Sequence, residues 1–141
     1  MGISTKGRYA LRMIVDLAEH SDEGFVTLKE IAERQNISKK YLEQIVAALN
    51  KGEILQANRG YAGGYKLAKS PDKLTVNEIL KLTEGGLTPV ACVGGAPCDR
   101  SAECATMFVW QGLDKVVSQY LSSITVQDII SRHTGGGDYC I

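Results

Sequence analysis

No stretch of this 141-residue chain approaches the run of about 20 apolar residues that a membrane-spanning helix needs. The opening Met1-Gly2-Ile3-Ser4-Thr5-Lys6 lacks the apolar core of a secretion signal, so a cytoplasmic location is expected. Neither the G-x-x-x-x-G-K-[ST] phosphate loop nor G-x-G-x-x-G occurs, and no acid–base set can be named around a nucleophile. An enzyme is therefore not expected. Cys-x2-Cys pairs and internal repeats are also missing. Net charge is absent too, with 16 Lys/Arg against 16 Asp/Glu.

The zero balance hides an asymmetry. Residues 1–70 carry 11 Lys/Arg and 8 Asp/Glu, a net of +3, while residues 71–141 carry 5 and 8, a net of −3. A basic front half suits a chain that presents one end to phosphate. The hydrophobic fraction of 44% and charged fraction of 23% are those of an ordinary globular domain with a core. Four cysteines in a reducing compartment point to metal or redox chemistry before disulfides.

Helical signals alternate with turns. Ser4 or Thr5 caps a helix to about Glu19, with Leu11, Ile14, Leu17 and Ala18 on its core face. Thr27-Leu28-Lys29-Glu30 is a capping box, and the short helix it opens is interrupted at Asn36. Ser38 caps a second helix from Lys39 to about Lys51, ended by Gly52, with Leu42, Ile45, Val46 and Leu49 as its buried stripe. Glu53–Asn58 and Gly64–Ala68 read as two strands around the tip Arg59-Gly60-Tyr61-Ala62-Gly63-Gly64. Thr75-Val76-Asn77-Glu78 opens another helix that closes at Gly85-Gly86. After an aperiodic, Gly- and Cys-rich stretch, a long helix runs from Ala105 to about Leu121, with Met107, Trp110, Leu113, Val117 and Tyr120-Leu121 at three-or-four spacing. Thr125 caps a last short helix, before a triple glycine and the tail Asp138-Tyr139-Cys140-Ile141.

Two helices with a tight turn, then a β-hairpin, is the order of a winged helix-turn-helix. Its second helix must expose polar side chains near its N-terminus to the major groove. Ser38, Tyr41, Glu43 and Gln44 are candidates there. Gln pairs bidentately with adenine, and Glu accepts from the cytosine amino group and is repelled by phosphate elsewhere, which selects among sites. Lys39 and Lys40 are placed for phosphates. Gly60, Gly63 and Gly64 keep the wing slim, and Arg59 carries the charge that a narrow groove attracts.

Cys92, Cys98 and Cys104 are spaced C-x5-C-x5-C in a glycine-rich segment. Soft thiolates select zinc or iron–sulphur. The missing C-x2–4-C knuckle turns the balance toward a cluster, with zinc and free reactive thiols left open. Three thiolates leave one ligand to be found, with Asp99, Glu103, Cys140, His133 and Glu43 as candidates.

These motifs together resemble the iron–sulphur cluster regulator family (IscR) and its cysteine-metabolism repressor relatives (CymR). The resemblance rests on Ser4-Thr5-Lys6-Gly7-Arg8-Tyr9-Ala10, Ile37-Ser38, Tyr41-Leu42-Glu43-Gln44, Arg59-Gly60, Gly63-Gly64-Tyr65 and the three cysteines. It implies a homodimer joined through the long helix, a [2Fe–2S] cluster on Cys92, Cys98 and Cys104, and a double-stranded DNA operator. The leading expectation is a sensor, taken as a repressor, that controls cluster-biogenesis genes; the sequence does not give the sign of regulation. Cluster-bearing relatives place a His three residues after the third cysteine; here that position is Met107, and the fourth ligand is open. Tyr139-Cys140-Ile141 echoes the ending of the cysteine-metabolism branch, so a thiol- or zinc-responsive regulator of sulphur metabolism, or one controlled by a protein partner, is the alternative. A small electron carrier is the remaining one.

The expected fold is mainly α with a small β-hairpin wing. Residues 1–84 form a winged helix-turn-helix DNA-binding domain, 85–104 a cysteine-bearing cluster loop, 105–123 a dimerisation helix, and 124–141 a short helix and tail.

Overall fold

The computed structural model describes residues 2–134; Tyr139, Cys140 and Ile141 lie outside the described residues. Six α-helices and one antiparallel hairpin follow in chain order among them. They are α1 (Thr5–Glu19), α2 (Leu28–Gln35), α3 (Lys39–Leu49), β1 (Leu55–Ala57), β2 (Tyr65–Leu67), α4 (Val76–Glu84), α5 (Met107–Ser122) and α6 (Val126–Thr134).

The expected mainly-α winged helix-turn-helix is what the chain adopts. The helix starts are set by their caps. Ser4 Oγ accepts from the Gly7 N–H at 3.0 Å, and Ser38 Oγ from the Tyr41 N–H at 3.1 Å. At Thr27 the box is complete: Thr27 N–H donates to Glu30 Oε2 at 2.8 Å and Glu30 N–H to Thr27 Oγ1 at 3.2 Å. Such a cap stabilises its helix by about 1 kcal/mol. Thr125 and Asp128 exchange an equivalent pair at the foot of α6, at 2.9 and 3.1 Å.

The turn between α2 and α3 takes only Asn36 and Ile37 before the Ser38 cap. Asn36 is left-handed at φ 55°, a conformation that a short amide side chain tolerates, and Ile37 is buried behind it. This turn aims α3 across α2.

Met13, Ile14 and Leu17 of α1, Ile31 of α2, Leu42, Ile45 and Leu49 of α3, Ile54, Leu74, Ile79 and Val126 fill the main core. Leu11 packs against this core and also against a second, smaller cluster around Val76, Leu80 and Leu87, so it joins the two. Inside the main core one charge is buried. Asp16 of α1 accepts from Arg34 Nε at 3.0 Å, Arg34 Nη2 at 2.6 Å and Gln35 Nε2 at 3.0 Å, which ties α1 to the last turn of α2. At the other end, the Ser4 N–H and hydroxyl both donate to Glu84 Oε1, at 3.0 and 2.7 Å. A Cβ on Gly7 would sit 2.1 Å from that oxygen and displace it.

The hairpin pairs Leu55 with Leu67, Gln56 with Lys66 and Ala57 with Tyr65. Regular pairing is shorter than the expected strands, because Glu53 turns left-handed at φ 55° and Ile54 goes into the core. A third segment steadies the wing: Val26 and Tyr65 exchange both backbone hydrogen bonds at 2.8 Å. Gly64, at φ 110°, approaches this segment so closely that a Cβ would lie 3.0 Å from the Val26 carbonyl.

The long helix differs from its expected pattern. Met107, Trp110, Val117 and Leu121 are half-buried toward their own domain, but Leu113 and Tyr120 are exposed. The single stripe read from the sequence is two apolar faces: α5 packs on α4 and Leu121 joins the cluster of Val76, Leu80 and Leu87, while Phe108, Val116 and Tyr120 stay exposed.

Candidate nucleic-acid interface and cysteine loop

Caps and core packing decide what α3 displays. With Leu42, Ile45, Val46 and Leu49 buried, Ser38, Lys39, Lys40, Glu43 and Gln44 are left exposed on the opposite side. Tyr41 is placed differently from its neighbours. Its ring is half-buried and meets the Tyr9 ring at 5.8 Å between centroids and 58° between planes. The Arg12 guanidinium carbon lies 5.1 Å from the Tyr9 centroid, and Arg12 also donates to the Gln35 carbonyl and side chain. Tyr41 thus fastens α3 to α1 through Tyr9.

The structure brings the wing and both helix starts together. A groove of about 360 Å³ is lined by Thr27, Leu28 and Lys29 at the start of α2, Lys39 at the start of α3, and Ala62, Gly63, Gly64 and Tyr65 of the wing. Beside the capped N–H groups of Glu30 and Tyr41, the first turns of two helices leave backbone N–H groups with no intrahelical acceptor. Two exposed lysines add positive charge from different helices, and neither pairs with an acidic side chain among the described residues. Such a groove has the charge and the donors that a phosphate requires. Arg59 and Gly60 stand exposed at the tip.

Two residues at this interface escaped the sequence reading. Lys29 reads in the sequence only as part of a capping box; its place in the groove depends on the pairing of Val26 with Tyr65, which no local pattern shows. Asn58, two residues before Gly60, carries the signature of an Asx turn.

The cysteine segment is a chain of tight turns. Val93 N–H donates to Val90 O at 3.2 Å, and Gly94 and Ala96 N–H donate to Ala91 O at 3.0 and 3.1 Å. Cys92 and Cys104 are half-buried, Cys98 is exposed, and all three thiols are free of disulfides. Cys104 Sγ lies 3.4 Å from Thr106 Oγ1; that hydroxyl and the backbone N–H groups of Thr106 and Met107 hold its pKa below the ordinary thiol value. Three soft donors in one exposed segment fit an iron–sulphur centre or zinc by chemistry. Their present positions do not converge: among the described residues no three His, Cys, Asp or Glu side chains form a metal-binding group. Of the other candidates, Asp99 and Glu103 are exposed in the same segment, Glu43 is exposed on α3, and Met107 opens α5 half-buried. His133 Nδ1 is engaged by Glu19 Oε1 at 2.8 Å.

Residues 3–132 match the profile of the family described as Rrf2, iron-dependent transcriptional regulator. The HTH-type transcriptional regulator IscR of Sodalis glossinidius is 36% identical over 132 residues, spanning 94% of this chain and 80% of that protein. The structure of CymR, the global cysteine regulator of B. subtilis, is similar with a TM-score of 0.78 at 36% identity, covering 93% of this chain and 97% of that one. IscR of T. potens gives a TM-score of 0.76 at 35% identity, covering 99% and 94%.

Proposed function

The chain belongs to the Rrf2 family of transcriptional regulators, and on that premise we propose that it is a homodimeric repressor whose Cys92, Cys98 and Cys104 hold a [2Fe–2S] cluster. As a DNA-binding regulator it is neither an enzyme nor an electron carrier. Among the described residues no helix is long and apolar enough to cross a membrane; the reading itself places the protein in the cytoplasm, acting on cluster-biogenesis genes. The observation that carries the reading is the single chain's combination of a DNA-shaped face with a three-thiol segment leading directly into α5.

Each protomer of the dimer sets one α3 in a major groove, with successive α3 helices one helical turn of DNA apart. Ser38, Glu43 and Gln44 face base edges, Lys39, Lys40 and Lys29 face phosphates, and Arg59 with Gly60, Gly63 and Gly64 forms the wing contact. Tyr41 holds α3 in place from behind. The cluster supplies an iron- and redox-dependent state. Gathering the three sulphurs requires residues 92–104 to close up, and that reordering at the start of α5 biases the spacing of the two α3 helices.

Anaerobic purification tests the cluster. Iron and sulphide in equal amounts, with absorption above about 400 nm that Cys98→Ser abolishes, are expected. A colourless protein holding zinc would transfer the sensing role to the second reading, a thiol- or zinc-responsive regulator of sulphur metabolism. The likeness to CymR and the depressed Cys104 thiol favour that reading.

The groove makes a separate expectation. Lys29→Gln should lower the slope of log affinity against log salt by about 0.9 for each copy of the chain on the duplex. It should leave the ranking of duplex sequences unchanged, since phosphate contacts carry no sequence information. Competition titrations across a salt series check this, and an unchanged slope would remove Lys29 from the interface.

A further inference from the structure

The wing tip holds a large aromatic ring that packs on none of the other described residues. Tyr61 is 110% exposed. The turn that carries it is nonetheless closely bonded. Asn58, half-buried at the foot of the tip, spans it with its side chain: Nδ2 donates to the Gly63 carbonyl at 3.1 Å, and Oδ1 accepts from the Gly60 N–H at 2.9 Å. The Asn58 N–H donates to the Gly64 carbonyl at 2.9 Å, and the Gly63 N–H to the Gly60 carbonyl at 3.1 Å. Residues 58–64 are thereby closed into one small turn from which Arg59 and Tyr61 project.

An aromatic ring held out on an ordered turn is a contact whose backbone ordering is already accounted for, and its burial against a partner is a large gain. The surroundings indicate which partner. Arg59 stands two residues away, and Gly63 and Gly64 of the same turn line the groove that carries Lys29 and Lys39. Positive charge in the same turn and in the adjoining groove suits nucleic acid. A tip this slim reaches the minor groove beside the major groove that α3 occupies.

We propose that Tyr61 contacts the minor groove, its ring against a deoxyribose and its hydroxyl donating to adenine N3 or thymine O2, and that Asn58 is the positioning residue that sets its reach. The proposal rests on the DNA-binding reading above and deepens it. The minor groove offers only those acceptors at A·T pairs, whereas the guanine amino group intrudes at G·C pairs. Tyr61 therefore adds an A·T preference at a base pair that α3 does not touch.

The probe is a duplex recovered by the full-length wild-type chain from a random-sequence library, paired with copies whose flanking base pairs are exchanged between A·T and G·C. Tyr61→Ala should bind the A·T-flanked duplex about tenfold more weakly. Tyr61→Phe should bind the A·T- and G·C-flanked copies alike. Asn58→Ala should lose at least as much as Tyr61→Ala, because it also loosens Arg59, and the double variant N58A/Y61A should lose less than the sum of the two single losses, because the Tyr61 contact is counted in both. The Tyr61 variants should leave the salt slope unchanged and Arg59→Ala should reduce it. The Tyr61 and Arg59 variants should melt at the wild-type temperature, since those side chains are exposed at the tip, and Asn58→Ala should lower it only slightly, since the bonds it loses lie outside the core. Equal binding by Tyr61→Ala and wild type overturns the proposal. A flanking preference retained by Tyr61→Phe overturns the hydroxyl contact, and additive losses overturn the role of Asn58. A wild-type chain that enriches no duplex overturns the DNA-binding reading itself, which keeps the two failures apart.

Discussion

Replacing Asp16 with alanine is expected to lower the unfolding free energy by about 3 kcal/mol, with a fall in Tm of about 10 °C. Asp16 is 2% exposed, and both of its oxygens are used by the Arg34 fork and Gln35. Its removal strands those donors at the junction of α1 and α2. The Arg34 side chain is 31% exposed and regains some hydration, which keeps the expected loss at the low end for a broken buried pair. Because Arg34 and Gln35 end α2, the loss also loosens the turn that aims α3, and DNA affinity should fall with stability.

Acid should reproduce part of the effect in the wild type. Burial by itself raises the Asp16 pKa, but the hydrogen bonds of Arg34 and Gln35, with the charges of Arg34 and His20, outweigh it and hold the carboxyl below its ordinary value. A depressed folded-state pKa gives stability that is present in full above the ordinary carboxylate range and is lost as pH falls through the folded value. Urea unfolding at neutral pH and at a series of acid pH values measures both effects. A loss under about 1 kcal/mol in Asp16→Ala, with an unchanged acid limb, would show that the pair adds little.

Val116→Glu is expected to split the proposed dimer and to weaken operator binding by about a hundredfold. Phe108 is 74% exposed, Val116 61% and Tyr120 64%, and Val109 and Leu113 extend the same apolar face. None of the described residues stands within 4 Å of the Cβ position of Gly112 in its centre, so a second helix can approach closely there. Two copies packed through this face would bury the rings, and a carboxylate at Val116 would be trapped without a partner. DNA affinity suffers because a linked second α3 binds at high effective concentration, and a monomer has none. Analytical ultracentrifugation and gel shifts check the two consequences, while an unchanged circular dichroism spectrum confirms that the exposed substitution spares the fold. A variant that stays dimeric would place the interface elsewhere.

Much of this architecture was legible in local sequence. Ser4, Thr27, Ser38, Thr75 and Thr125 announced helix starts because an N-cap is a contact between residues three apart. Asn36 and the Gly60–Gly64 cluster announced turns for the same reason. The exposed residues of α3 followed from the period of Leu42, Ile45, Val46 and Leu49. Tyr41 did not, because its partner Tyr9 lies on another helix and periodicity says nothing about which half-buried ring meets which.

The cysteines divide along the same line. Their residue type and C-x5-C-x5-C spacing by themselves determined the chemistry available, since softness belongs to sulphur wherever it sits. Tertiary structure decided the rest: that the three thiols stand apart in a run of turns, that His133 is held by Glu19, and that α5 carries two apolar faces of which its own domain covers one. Caps, turns and donor types are properties of neighbours in sequence. Convergence of ligands, burial of Asp16 and the uncovered face of α5 are properties of distant segments brought together, and only packing sets them.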